Sequence, residues 1–226
     1  MTTITDDQLP VVYTPTMYVP KHFQENDRKE LLQFMREHSF ALLVLTNEAG
    51  VPIATHLPIK LQVDADGTAL LIGHISKANQ LATLFGKQTP ALAVFSGPHA
   101  YISSSWYDHV NVPTWNYLSV QVYGRTRVLT DEETLALLRT QVDKYETASA
   151  CPVSIESMTE AYVRQQMKGL IAFELTIETM QGAAKLSQNR DDVNHAAIVK
   201  QLRQRDDVES HRVADEMEKR REGNSK

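Results

Sequence analysis

The run Gly73-His74-Ile75-Ser76-Lys77-Ala78-Asn79 carries the clearest chemistry in the chain: a hydroxyl, an ammonium group and an amide within four positions. Leu70, Leu71 and Ile72 read as the end of a buried strand, Ser76 as the N-cap of a helix, and Leu81, Leu84 and Phe85 as the apolar face of that helix. The first N–H groups of a helix lack intrahelical partners and its dipole favours negative charge. A phosphate would sit there with Lys77 as a point cation. The same residues also suit a helix that binds nothing, since serine is an ordinary N-cap.

Other machinery is harder to find. There is no G-x-S-x-G elbow, no H-E-x-x-H and no Walker loop, and Cys151, beside Pro152, has no neighbour that would activate it. No catalytic residue is assigned. His56, His74, His99 and His109, four of eight histidines, fall one per segment without an i, i+4 pair or a cysteine companion, so no metal site is predicted. The plainer reading has His56 and His74 pointing out from strands and hydrogen-bonding locally. The middle of the chain is rich in aromatic and polar groups: Phe95 to Tyr107, then Val112-Pro113-Thr114-Trp115-Asn116-Tyr117, with both tryptophans. Indole and phenol rings among amides and hydroxyls suit either a planar conjugated ligand or a subunit interface.

The elements that must position these residues follow from periodicity. Asp27 to His38 reads as a helix with a capping-box-like Asp27/Glu30 pair and an apolar stripe of Leu31, Leu32 and Met35. Phe40 to Thr46 is a buried strand, Asn47-Glu48-Ala49-Gly50 a turn, and Pro52 to Val63 a second strand. Asp64-Ala65-Asp66-Gly67 is another turn before a strand at Ala69 to Gly73. Ala91 to Phe95 is a fourth strand, and Leu118 to Leu129 a fifth by its alternation. Thr130 and Glu133 form a second capping signature ahead of Leu135, Leu138, Val142 and Tyr145 at helical spacing. Ala148 to Ser157 is a loop and Met158 to Lys168 a helix. From Gly169 a strand alternates Ile171, Phe173, Leu175 and Ile177 with polar residues. Helices over Val193 to Leu202 and Ser210 to Arg221 close the chain. Short turns predict an antiparallel meander, and a strand returning after two helices predicts completion of the same sheet rather than a second domain.

Composition sets the outer limits. The 226 residues carry 42% hydrophobic and 23% charged residues with a formal charge of −5, an ordinary globular balance without the broad positive field of a nucleic-acid binder. A single cysteine rules out an intrachain disulfide framework and suits a reducing compartment. No membrane span or cleavable leader is recognisable, so a cytoplasmic location is expected. The expected organisation is a loose arm over residues 1–16, one barrel domain over 17–203, and a helical extension over 204–226 on the same domain.

Several separated blocks together resemble the PaiB-type family of FMN-binding negative transcriptional regulators: Met17 to Phe23, Ala54-Thr55-His56-Leu57-Pro58, Gly73 to Asn79, Gly97 to Ser103, Val112 to Tyr117, and Lys185-Leu186-Ser187-Gln188-Asn189. The resemblance runs to about Leu202. Two positions depart from the family pattern, Gln80 where proline usually follows the asparagine and Ser104 where proline is common. The resemblance implies an α+β, mainly β fold, the FMN-binding split β-barrel, antiparallel with six or so strands and peripheral helices. It implies a homodimer with FMN at the subunit interface. Thr55, His56 and Leu57 would line the isoalloxazine edge, Ser76 and Lys77 would take the phosphate, and His74 and Asn79 of the same block would also bind the cofactor. Trp115, Lys185, Gln188 and Asn189 would close the site from the partner chain.

Two classes of function stay open on that resemblance: a flavin-responsive regulator, or an FMN-dependent oxidoreductase or flavin reductase served by NAD(P)H or another redox partner, with heme chemistry on the same barrel as a lesser variant. Direct DNA binding is not expected. No helix-turn-helix stands out, two copies at −5 each would carry −10, and Lys200, Arg203 and Arg205 are the only modest basic cluster.

Overall fold

The computed structural model describes residues 17–223 apart from Gln88, and the expected arm over 1–16 lies outside the described residues. The chain runs β1 (Gln24–Glu25), α1 (Arg28–Glu37), β2 (Phe40–Thr46), β3 (Pro52–Pro58), β4 (Lys60–Val63), β5 (Ala69–Ser76), β6 (Pro90–Ile102), β7 (Thr114–Val128), α2 (Asp131–Glu146), α3 (Glu160–Met167), β8 (Leu170–Lys185), α4 (Asp192–Arg203) and α5 (Val208–Gly223). All eight strands form one antiparallel sheet in the order β3-β2-β6-β7-β8-β5-β4, with β1 paired to β8. Eight rather than six strands result because one expected strand divides and a short N-terminal strand pairs with β8.

The division occurs inside Pro52 to Val63. β3 pairs with β2 at one end of the sheet, and β4 pairs with β5 at the other. Between them Pro58 has no N–H to continue a ladder, and Ile59 turns fully into the core while its N–H bonds to Ser39 O at 2.7 Å. The chain thus crosses from one sheet edge to the other, curling the sheet on itself. β3 then lies against β5 without ladder bonds. A Cβ on Gly73 would meet Leu57 Cδ1 at 3.1 Å and Phe173 Cζ at 3.0 Å, so glycine there permits the close approach. This unpaired seam is the split of the barrel.

Alternation fills the interior. Leu43, Leu45, Ala93, Phe95, Val122, Phe173 and Leu175 are wholly buried from the facing strands, and Leu31, Leu32 and Met35 of α1 plug the same core. Each of the leucine, valine, phenylalanine and methionine side chains among them contributes about 1.5–3 kcal/mol by leaving water. Asp27 caps α1 by accepting from Lys29 N at 2.7 Å, a single cap rather than a box with Glu30. β6 runs well past the expected Ala91 to Phe95, to 13 residues, with an irregularity between Ser96 and His99, and β7 begins before the expected Leu118, at Thr114. The aromatic block around Trp115 is therefore strand from Thr114 onward. The extended ends of β6, β7 and β8 meet α4 and α5 in a second core that includes Ile102, Leu186, Ile198, Leu202 and Val213.

In α2 the Thr130/Glu133 capping box forms as expected, but the buried line is Thr134, Leu137 and Gln141. Leu135, Leu138 and Val142 are only half-buried and Tyr145 is exposed, because α2 lies on the sheet one position round from its most apolar stripe.

Candidate functional site

The seam between β3 and β5 gathers one half of the predicted site. β5 continues through Ser76, and no α-helix follows it, which corrects the reading of Ser76 as a helix N-cap. Instead Asn79 N bonds to Ser76 O at 3.0 Å and Ala78 N bonds to Ser76 Oγ at 3.2 Å, closing a tight turn with Lys77 at its tip. Asn79 caps only a short 3-10 turn, Gln80–Thr83, by accepting from Leu81 N. The helix fails because Leu81, Leu84 and Phe85 are drawn straight into the barrel core. Ser76 and Lys77 therefore offer an anion side chains and a turn, not a helix dipole.

Asn79 Nδ2 donates to Thr55 Oγ1 at 3.3 Å across the seam, tying β3 to the turn. The hydroxyls of Thr55 and Ser76 each accept one bond and keep their own O–H to donate. Lys77 N is held by Gly169 O at 2.8 Å, while its ammonium is exposed and has no partner among the described residues. His56 is exposed and stacks on Phe40 at 5.9 Å, whereas Leu57 is buried against Gly73. Two hydroxyls with O–H groups to donate and a cation without a partner among the described residues are groups whose chemistry fits a phosphate-bearing cofactor such as flavin mononucleotide.

His74 stands apart from this group. It alternates with the core residues Gly73 and Ile75 and lies on the outer face beneath α2, hydrogen-bonded to Gln141, with its Nδ1 enclosed and unpartnered. Burial pushes its pKa below the ordinary 6.5, against a small opposing effect of Gln141. His38 and His195 are lowered too, again chiefly by burial. A histidine kept neutral in the folded chain stabilises it fully above the unfolded pKa, and that stability is lost as pH falls from about 6.5 through the lowered values. The thermal midpoint is therefore expected to fall between pH 7 and 5, and His74→Gln to flatten that slope. Equal slopes in calorimetric scans of both proteins would remove His74 as a contributor.

The other half of the predicted site lies elsewhere. Ser76 pairs with Leu170 at the start of β8, and Lys185 pairs with Tyr117 at its end, on the order of 50 Å along the strand. There Trp115 is 53% exposed beside Tyr101 and His99. Lys185 donates to Thr114 Oγ1 and lies 5.8 Å over the Phe23 ring, its pKa lowered by burial and then by Arg190. Gln188 holds the turn: its amide donates to Ala184 O at 2.6 Å and His22 O at 3.1 Å and accepts from Leu186 N at 2.7 Å. Asn189 is exposed. One chain therefore does not bring Trp115, Lys185, Gln188 and Asn189 to the seam.

Sequence reasoning missed the pair beneath this turn. Ser187 adopts a left-handed φ of 57° and is buried, its hydroxyl paired with the buried Asn116 amide at 3.0 and 3.1 Å. Its signal was an asparagine at an inward position of an otherwise apolar strand face.

Residues 17–179 match the family described as "Putative FMN-binding domain". The chain is 37% identical over 202 residues to the Bacillus subtilis protein named "Protease synthase and sporulation protein PAI 2", covering 89% of this chain and 97% of that one. It is 26% identical to an uncharacterized protein of Emericella nidulans, covering 81% and 89%. Among solved structures it is similar in fold to the FAD and heme binding protein of Mycobacterium smegmatis, with a TM-score of 0.55, 17% identity and 77% and 78% of the two chains covered. The flavocytochrome Anf3 of Azotobacter vinelandii aligns with a TM-score of 0.53 and 19% identity over 79% and 78%. With the seam, the turn and the match along most of its length in agreement, the chain belongs to the PaiB-type FMN-binding family, has the flavin-binding split-barrel fold, and takes FMN as its cofactor.

Proposed function

We propose that this protein is a flavin-responsive regulator that works as a homodimer in the cytoplasm, with FMN bound between subunits. The observation that carries the reading is the division of the site: Thr55, Ser76 and Lys77 stand at one end of β8 and Trp115 and Lys185 at the other. A second copy brings the two ends together. Register supplies a surface for it, since Leu42 stands opposite Val94 and Val44 opposite Leu92 on the sheet face turned away from the core, all half-buried in one chain. Stable pairs bury roughly 1,600 Å². Val94→Arg is expected to give monomers in sedimentation at micromolar concentration and to weaken FMN at least about tenfold. A Val94→Arg dimer, or a monomer with undiminished FMN affinity, would sink the two-chain site.

Regulation is favoured by the 37% identity to a protein named for protease synthesis and sporulation. Its route is indirect, through flavin or a partner protein. Arg203 is engaged by Asp215 and Glu218, each at 2.6 Å, and Arg205 lies 4.9 Å over the Trp106 ring. Few cations of the Lys200 cluster are left to neutralise DNA phosphates. The flavin would supply electron transfer, and this chain's part is to hold the phosphate at Lys77 and the ring edge at Thr55. The visible spectrum of the purified protein with NADH or NADPH tests the reading. Flavin that stays oxidised is expected; rapid bleaching would make the protein a reductase.

A further inference from the structure

Away from the seam, a cleft of about 280 Å³ lies between α2, the short turn Ile155–Ser157 and α3. Leu135, Ile155, Met158, Val163 and Met167 make its apolar lining, two of them methionines that adapt to an occupant. A dry apolar cavity of about 150 Å³ already takes benzene, so this one has room for an aryl group with a short polar arm.

The rim is acidic. Arg139 pairs with Glu156 at 2.9 Å and Arg164 with Glu160 at 2.7 Å, which leaves Asp131 and Glu132 in excess. Both act at longer range on Arg164 without a hydrogen bond or salt bridge among the described residues, and neither is needed as a cap, since Thr130 and Glu133 close α2 themselves. With four carboxylates against two guanidinium groups the rim is net negative, and an apolar pocket under such a rim selects an amphipathic cation over an anion of the same shape.

The cleft is joined to the flavin seam through both walls. α3 ends at Met167, and two residues on, Gly169 O holds Lys77 N at 2.8 Å. α2 packs through Leu137 on Ile72 and Ala172, from the β5–β8 pair that leads to the Ser76–Asn79 turn. An occupant that fixes α2 against α3 steadies that turn, and the coupling must run equally in both directions.

We infer that the α2–α3 cleft binds a small organic cation with an apolar body, an alkyl- or arylammonium, and that its occupancy changes the affinity for FMN at the seam. The coupling rests on the flavin reading; the binding itself does not. Titration calorimetry of the full chain with benzylammonium chloride is expected to give a dissociation constant on the order of 1 mM, and sodium benzoate to bind at least about tenfold more weakly. Asp131→Asn with Glu132→Gln, both exposed, should weaken benzylammonium about tenfold, and Val163→Trp should abolish it by filling the cleft. At saturation benzylammonium should shift the FMN dissociation constant several-fold in the wild type and not in the double variant. Equal binding of benzoate, or unchanged benzylammonium binding in the double variant, overturns the site. Selective benzylammonium binding with an unmoved FMN constant overturns the coupling alone, and loss of FMN binding in every protein would fault the flavin reading instead.

Discussion

Lys77→Ala is expected to weaken FMN roughly 10- to 100-fold, the loss of one charge-assisted contact of about 1.5–3 kcal/mol. The ammonium is exposed at the tip of a turn whose backbone is already fixed by Gly169 O and by Ser76, so the truncation should leave the fold intact. Riboflavin provides the discriminating comparison. It lacks the phosphate, should bind the wild type poorly, and should lose little more in the variant. Fluorescence titrations in which both flavins weaken by the same factor would place Lys77 away from the phosphate. Raised salt should narrow the FMN difference, because an exposed cation is screened.

Gly124→Ala is expected to destabilise the fold by about 3 kcal/mol, through overpacking at a backbone contact. Gly124 sits where the register between β7 and β8 slips by one residue, leaving Glu178 unpaired between Thr179 and Ile177. A Cβ there would stand 1.9 Å from Thr176 O and 2.8 Å from Leu175 Cδ2. Backbone cannot rotate out of the way as a side-chain end can, so the ladder must open or the bulge must move. Gly67→Ala provides the scale: Gly67 has a φ of 85° but nothing within 4 Å of the added atom, so its cost is conformational and about 1 kcal/mol. Urea unfolding with equal slopes would compare the two. A Gly124→Ala loss no larger than that of Gly67→Ala would show that the bulge relaxes freely.

What the residues determined by themselves was local. The Thr130/Glu133 box, the turn that Asn47 closes with Gly50 and the Asp64–Gly67 turn each rest on bonds reaching only a few residues along the chain. Periodicity in the same way marked α4, α5 and the inward face of β8. The Ser76–Asn79 segment read as the start of a helix and folds as a turn, because what stopped the helix was the pull of Leu81 and Phe85 into a core built by distant strands. Pro58 marks a break in the run from Pro52 to Val63, but nothing near it announces that the two halves pair on opposite sheet edges; that follows from the core taking the Ile59 side chain. The site divides the same way. Ser76 and Lys77 could be chosen for their chemistry, but the link from their turn to Thr55, made by Asn79, depends on barrel closure across 24 residues, and the distance to Trp115 and Lys185 depends on how far β8 runs. Hydrogen bonds within a turn are settled by neighbours, whereas strand length, register and edge pairing are settled by which partner removes the most apolar surface from water, and only the folded chain contains that partner.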